Sequence, residues 1–281
     1  MGKILTVSMG NEQLLELVQI PAGEFFMGSD AEDDPLCSSE ETPLHTVTLD
    51  EFWMGRYPVT NQQYQRFLTQ TGWKPPRLWK DGAYPPAMGS LPVVGVALKD
   101  ARLFCYWLSL VRDKLVCLPG EAEWEKAARG IDGRIWPFGN QPLPVGRLKK
   151  LGKGEYQPAG SFSPDLDSPF GCADMGMNVG EWTSTLRQKG PLATFRYPYR
   201  MDDGRENALH KGERSVRGAA YPDYAPKKTR CAARSWAPPE QLSAAIGFRV
   251  MVTFDAGRWE LAFPKDKVDR QRLDFDAGFG R

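Results

Sequence analysis

The chain has 281 residues, enough for one large domain or two small ones with a substantial core. Apolar residues make up 41% and charged residues 25%, and the net charge is +1, so no global field directs the chain to nucleic acid or to an anionic membrane. No stretch approaches the roughly eighteen consecutive apolar residues of a spanning helix.

The start, "MGKILTVSMGNEQLLELVQI", lacks the uninterrupted apolar stretch of a signal peptide, and a cytoplasmic protein is expected. Residues 1–14 read as an N-terminal arm, and the folded domain as 15–254. "LLELVQIPAGEFFMGS" places two apolar runs around Pro-Ala-Gly and predicts a hairpin. "DAEDDPLCSSEETP" is acidic and apolar-poor, the composition of a loop. "HTVTLDEFWMGRYPVT" alternates as a strand does. "TNQQYQRFLTQTG" predicts a helix capped by Thr60 or Asn61, with Tyr64, Phe67 and Leu68 on one face and Gly72 as its stop. "KDARLFCYWLSLVRD" predicts a second helix, with Leu103, Trp107 and Leu110 spaced for burial. "PGEAEWEKAARG" predicts a third, with Pro119 near its start and acidic residues in its first turn.

After Gly130 the chain breaks into short apolar pieces between Gly, Pro, Asn and Asp. With 28 glycines, 23 prolines and 9 tryptophans, this predicts an α+β domain with low regular secondary structure, held by aromatic packing. Residues 255–281 read as a charged C-terminal extension, and "KDKVDRQRLD" within it as a short helix packing on the domain or a partner.

Five cysteines stand at 37, 105, 117, 172 and 231, widely spaced and without a CxxC, which argues against a zinc ribbon or a disulfide framework. Cys105 and Cys117 lie in apolar surroundings and read as core thiols. Two histidines, His45 and His210, are too few for a multi-histidine metal centre. His45 reads as a strand residue with a hydrogen-bonded ring.

Seven stretches occur in order: "IPAGEFFMGS", "PVTNQQYQRFL", "CLPGEAEWEKAARG", "WPFGN", "DMGMNVGEWTS", "SVRGAAY" and "RCAARS…GFRV". Together they resemble the formylglycine-generating enzyme, or sulfatase-modifying factor, family over roughly residues 15–252. The resemblance implies a variant of the C-type lectin fold. It also covers oxidases, iron-dependent enzymes and non-catalytic binders, among them variable proteins of diversity-generating retroelements.

In the oxidases, the resemblance implies, two thiolates hold Cu(I), a soft ion that accepts linear two-sulfur coordination. The second cysteine opens a "CAARS"-like run and is matched by Cys231. The first lies five residues earlier, where this chain has Pro226. Proline offers no ligand, so copper is not expected, and no catalytic residue unless Cys231 serves an alternative oxidoreductase acting on a protein cysteine.

The run "DMGMNVGEWTS" resembles the family's calcium loop. Carried over, the ligands of a structural Ca2+ are Asp174, the carbonyls of Met177 and Val179, and Glu181. Met177 and Gly180 replace the family's usual glycine and aromatic. A second calcium site is not expected, because "PLPVGRLKKLGKGEY" is basic where that site needs Asn and Asp. The remaining candidate surface is the 217–247 loop system, with Tyr221, Asp223, Tyr224, Trp236, Glu240 and Gln241. Exposed aromatics among polar side chains suit an unknown protein or small ligand, with no nucleic acid and no membrane as partner.

Overall fold

The structure is a computed structural model and describes residues 2–10, 13–143, 156–187, 195–220 and 223–262. Residues 4–10 of the expected arm form β1 (Ile4–Gly10), which pairs antiparallel with β2 (Gln13–Ile20), Ile4 opposite Val18.

The hairpin expected around Pro21–Gly23 does not form. β2 pairs instead with β5 (Phe52–Gly55), and β3 (Gly23–Met27) leaves for a two-stranded sheet with β4 (His45–Leu49). The corner is fastened elsewhere. Lys126 Nζ donates to the carbonyls of Pro21 and Gly23 at 2.7 and 2.8 Å, and Gly23 takes φ +122°, a conformation that favours glycine. The single strand expected over 45–60 is likewise two strands, interrupted at Asp50–Glu51 where the chain changes sheets.

A five-stranded antiparallel sheet runs β1-β2-β5-β11-β6, with β6 (Leu115–Cys117) and β11 (Met251–Thr253). Strand β11 lies between β5 and β6, so the end of the domain closes on its first half. Helix α1 (Asn61–Thr71) forms as expected. Thr60 accepts from the Gln63 N–H, the Gln63 side chain returns to the Thr60 N–H, and Gly72 ends the helix at φ 65°. Tyr64, Phe67 and Leu68 are buried.

Helix α2 (Leu98–Arg112) meets α1 through rings: Tyr64 stacks on Phe104 at 5.8 Å, and Phe67 meets Trp107 at 5.7 Å. Trp107 is buried as expected, but Leu110 is 53% exposed and Leu103 half-buried. α2 is apolar on more than one face, and the rings of α1 and Phe248 select the face that carries Phe104.

A four-stranded sheet has the order β10-β7-β8-β9, from β7 (Gly180–Leu186), β8 (Arg214–Arg217), β9 (Arg234–Ala237) and β10 (Ile246–Gly247), with β10 parallel to β7. Helix α3 (Glu121–Arg129) touches both this sheet and the β3–β4 pair. Its nine residues are all buried, the charged ones included. Helix α4 (Ala256–Ala262) begins the C-terminal extension, its Arg258 buried against Glu123 at 3.2 Å. Residues 265–274, expected as a short helix, lie outside the described residues. Few helices and three sheets joined by irregular chain make the expected α+β architecture.

Candidate binding cleft

The two faces of the β10-β7-β8-β9 sheet differ. Register places Ile246 beside Gly180, and Val216 beside Ser235, on one face. These residues, with Ala237, Gly218–Ala220 and Ala245, floor a cleft of about 490 Å3, within the range of small-molecule sites. Gly180 keeps the floor low: a Cβ there would stand 2.9 Å from Val216 Cγ1. Ser38 and Glu41 of the acidic 30–43 segment, Gln241 and Ser243, and the charged Lys227, Lys228 and Arg234 stand in its walls.

The opposite face is ionic. Arg217 and Arg234 face each other across β8 and β9 and meet the carboxylates of α3. Glu121 accepts from Ser215 Oγ at 2.6 Å, Arg217 Nη1 at 3.1 Å and Arg234 Nη2 at 2.6 Å. Glu125 accepts from Arg217 Nη2 at 2.7 Å and Arg129 Nη2 at 3.1 Å. Burial alone would raise the Glu121 acid, but Arg234 and Arg217 hold it down to about 2.

The acidic segment, read as a loop, is fastened to the same region. Asp34 and Glu41 receive Arg230 Nη1 at 2.5 and 2.7 Å. Glu40 accepts from Arg187 at 2.6 Å and from the Trp236 indole at 3.1 Å. The guanidiniums of Arg187 and Arg234 lie over the Trp236 ring, at 5.0 and 4.5 Å from its centre.

Of the six expected contact residues, Asp223, Trp236 and Gln241 line the cleft. Asp223 is ion-paired to Lys228, and the Trp236 ring is engaged by two arginines. Tyr224 is buried with Phe162, Leu166, Met177 and Ala219, away from the lining. Glu240 is exposed in a different cavity, and Tyr221 lies outside the described residues. Arg234, Gly180 and the Ser38–Glu41 wall were missed. Gly180 carried a signal, since it stands where the resemblance puts an aromatic.

Cys231 is fully buried, and its N–H donates to the Ile135 carbonyl at 2.8 Å. Burial pushes its thiol up to about 12, outweighing nearby Arg129, Arg217 and Arg134. The Pro226 carbonyl accepts the Trp136 indole N–H at 3.2 Å. Cys105 and Cys117 are core thiols, as expected. His45 is pinned in β4: Nδ1 lies 2.8 Å from the Pro43 carbonyl, and Nε2 accepts from the Tyr199 N–H at 2.7 Å.

The calcium loop fits a hard cation at one end. Asp174 Oδ2 accepts from Gly160 N–H at 2.9 Å and Asn178 Nδ2 at 3.2 Å, while buried Oδ1 has no hydrogen-bond partner among the described residues. Burial pushes the Asp174 acid up to about 6. At the other end Glu181 is committed: Arg249 reaches both its oxygens at 2.6 Å, and the Trp124 indole adds a bond at 2.7 Å. The Met177 carbonyl accepts the Val179 N–H at 3.0 Å. The segment of the second calcium site lies almost wholly outside the described residues.

The model of the sulfatase-modifying factor enzyme 1-like domain matches residues 6–254. The inactive C-alpha-formylglycine-generating enzyme 2 of Bos taurus is 28% identical over 84% of this chain and 94% of its own length. The formylglycine-generating enzyme of Mycobacterium tuberculosis is also 28% identical, over 84% of this chain and 97% of its own. Treponema denticola variable protein 1 shares the fold, with a TM-score of 0.65 and 20% identity over 90% of this chain and 99% of that one.

Proposed function

The chain belongs to the family of sulfatase-modifying factor enzyme 1-like domains, and from that premise we propose that it is a non-catalytic binding module. Its ligand, a protein segment or a small molecule, sits in the cleft over the small-residue face of the β10-β7-β8-β9 sheet. We read the scaffold as the C-type-lectin variant of the family fold, and its setting as the cytoplasm.

One observation carries this reading. Copper chemistry on this scaffold needs two thiolates. Here the first position is Pro226, and the matching Cys231 is buried in the core with its proton held up to about 12. A thiol that is neither ionised nor open to substrate contributes packing. The cleft supplies what a binder needs, a recessed apolar floor with polar walls. The similarity to an inactive formylglycine-generating enzyme supports the same reading.

A retroelement-diversified variable protein is one form of such a module. Its support is that β9, β10 and the chain between them supply much of the cleft, so exchange of those residues would alter the ligand and spare the α1–α2 core. The alternative, an oxidoreductase acting on a protein cysteine, has the similarity to an active formylglycine-generating enzyme in its favour.

The test is turnover. The protein is incubated with Cu(I), O2 and a cysteine peptide beside a Cys231→Ser variant, and the peptide is weighed by mass spectrometry. No formylglycine from folded protein is the expected result. Product that disappears with Cys231→Ser would overturn the proposal.

A further inference from the structure

A second cavity, of about 770 Å3, opens between the first turn of α2, residues 208–214 and Pro238–Leu242. It shares no lining residue with the cleft. Five cations converge on it. Lys74, Lys99 and Lys211 are exposed on its walls, while Arg102 and Arg214 lie deeper.

Arg214 is the unusual one. It is 3% exposed, and its guanidinium donates to three carbonyls: Ser184 at 2.7 Å, Asn207 at 3.2 Å and His210 at 2.5 Å. Among the described residues it makes no ion pair. Burial pulls its proton affinity down to about 10, Glu206 offsets part of that, and Arg102 adds repulsion. The carbonyls satisfy its donors, and its charge is offset only in part, by Glu206, a costly state for a buried ion.

The carboxylates on the walls supply only part of the counter-charge that the cations need. Asp100 is occupied by the Trp73 indole at 3.1 Å and the Ala97 N–H at 3.2 Å. Glu213 pairs with Arg187 at 3.3 Å. Glu240 is exposed to solvent. Lys74, Lys99, Lys211 and Arg214 stand against two wall carboxylates, Asp100 and Glu240, that no ion pair among the described residues neutralises, an excess of more than a single positive charge, which favours a phosphate group over a lone carboxylate.

We propose that this cavity is an anion site that takes the phosphate group of a small molecule, separate from the cleft over the sheet. Arg214 and Arg102 supply fixed charge at the base, and the lysines close on the ligand from the rim. Leu209 and Leu242, 45% and 42% exposed at its edge, offer an apolar contact for the rest of the molecule.

Calorimetric titration with inorganic phosphate at constant ionic strength tests the assignment. Saturable binding is expected, weakened at least about tenfold in a Lys99→Glu, Lys211→Glu double variant. Both lysines are exposed, so the charge reversals leave the fold intact, which a melting curve checks. Trp236→Ala, on the cleft, is expected to leave phosphate binding unchanged, which keeps this test separate from that of the proposed function. Heats equal to a chloride control would overturn the site, as would phosphate binding indifferent to the double variant. Saturable binding of succinate without binding of phosphate would overturn the phosphate assignment.

Discussion

Against the five-stranded sheet, α1 and α2 bury rings: Tyr64, Phe67, Phe104 and Trp107 gather around Phe248. Against the four-stranded sheet, α3 buries ions, with Glu121 and Glu125 alternating with Arg234, Arg217 and Arg129. Ring packing tolerates small shifts and has no charge to balance. An alternating ion lattice holds only when every member is present, because removing one leaves its neighbours buried and unpaired. The cleft lies over the other face of the ionic sheet, so the lattice fixes the strands that floor it, and Arg234 belongs to both, paired to Glu121 and in the cleft lining.

The sharpest test of this contrast pairs two variants. Trp107→Ala is expected to cost about 3–5 kcal/mol through lost burial and a cavity. Glu121→Gln is expected to cost a similar amount, about 3–5 kcal/mol, by leaving Arg217 and Arg234 undercompensated. Their pH dependence separates them. The folded acid of Glu121 is depressed to about 2 from an ordinary 4.5. Its stabilisation is therefore full above pH 4.5 and lost as pH falls toward 2. Denaturant titrations across that window should show the Glu121→Gln deficit shrinking and the Trp107→Ala deficit constant. Parallel losses would mean that the lattice is not what holds the sheet.

A smaller effect is expected at the acidic segment. Arg230→Met leaves Asp34 and Glu41 buried without their cation and should cost about 2–4 kcal/mol. Adding Asp34→Asn and Glu41→Gln should recover part of it, and a full thermodynamic cycle reads the coupling. Strict additivity would mean that the segment is not fastened through Arg230.

The same division governs what the sequence disclosed. The ring layer was legible because helical periodicity marks Tyr64, Phe67 and Trp107 directly, and Thr60 and Gly72 announce the ends of α1. Leu110 misled because α2 is apolar on several faces, and only its partners choose among them. The ionic layer was illegible. Glu121 looks like a first-turn acid facing water and Glu125 like a solvated helix charge, and nothing in "DAEDDPLCSSEETP" names Arg230, roughly 190 residues away, as its partner. The expected hairpin failed for a related reason: the Lys126 that fastens its corner lies more than 100 residues downstream. Pro226 five residues before Cys231 is read directly from the sequence. The cleft beside them is not, since its floor is a set of short side chains assembled from four strands.

The smallest expected effect concerns calcium, at the seam between the two layers. Asp174 Oδ1 is buried without a hydrogen-bond partner among the described residues, and that oxygen with the backbone carbonyls would hold the ion. Glu181 is already neutralised by Arg249, so only weak binding is expected. Calcium at about ten times its dissociation constant adds about 1.4 kcal/mol, or about 2–4 °C in Tm for a domain of this size. Wild type should show that rise, and Asp174→Asn should not. An equal rise in both would place the ion elsewhere. No rise in either would mean that the Arg249 guanidinium, bridging Glu181 to the carbonyls of Gly55, Arg56 and Ala173, is the only cation this seam uses.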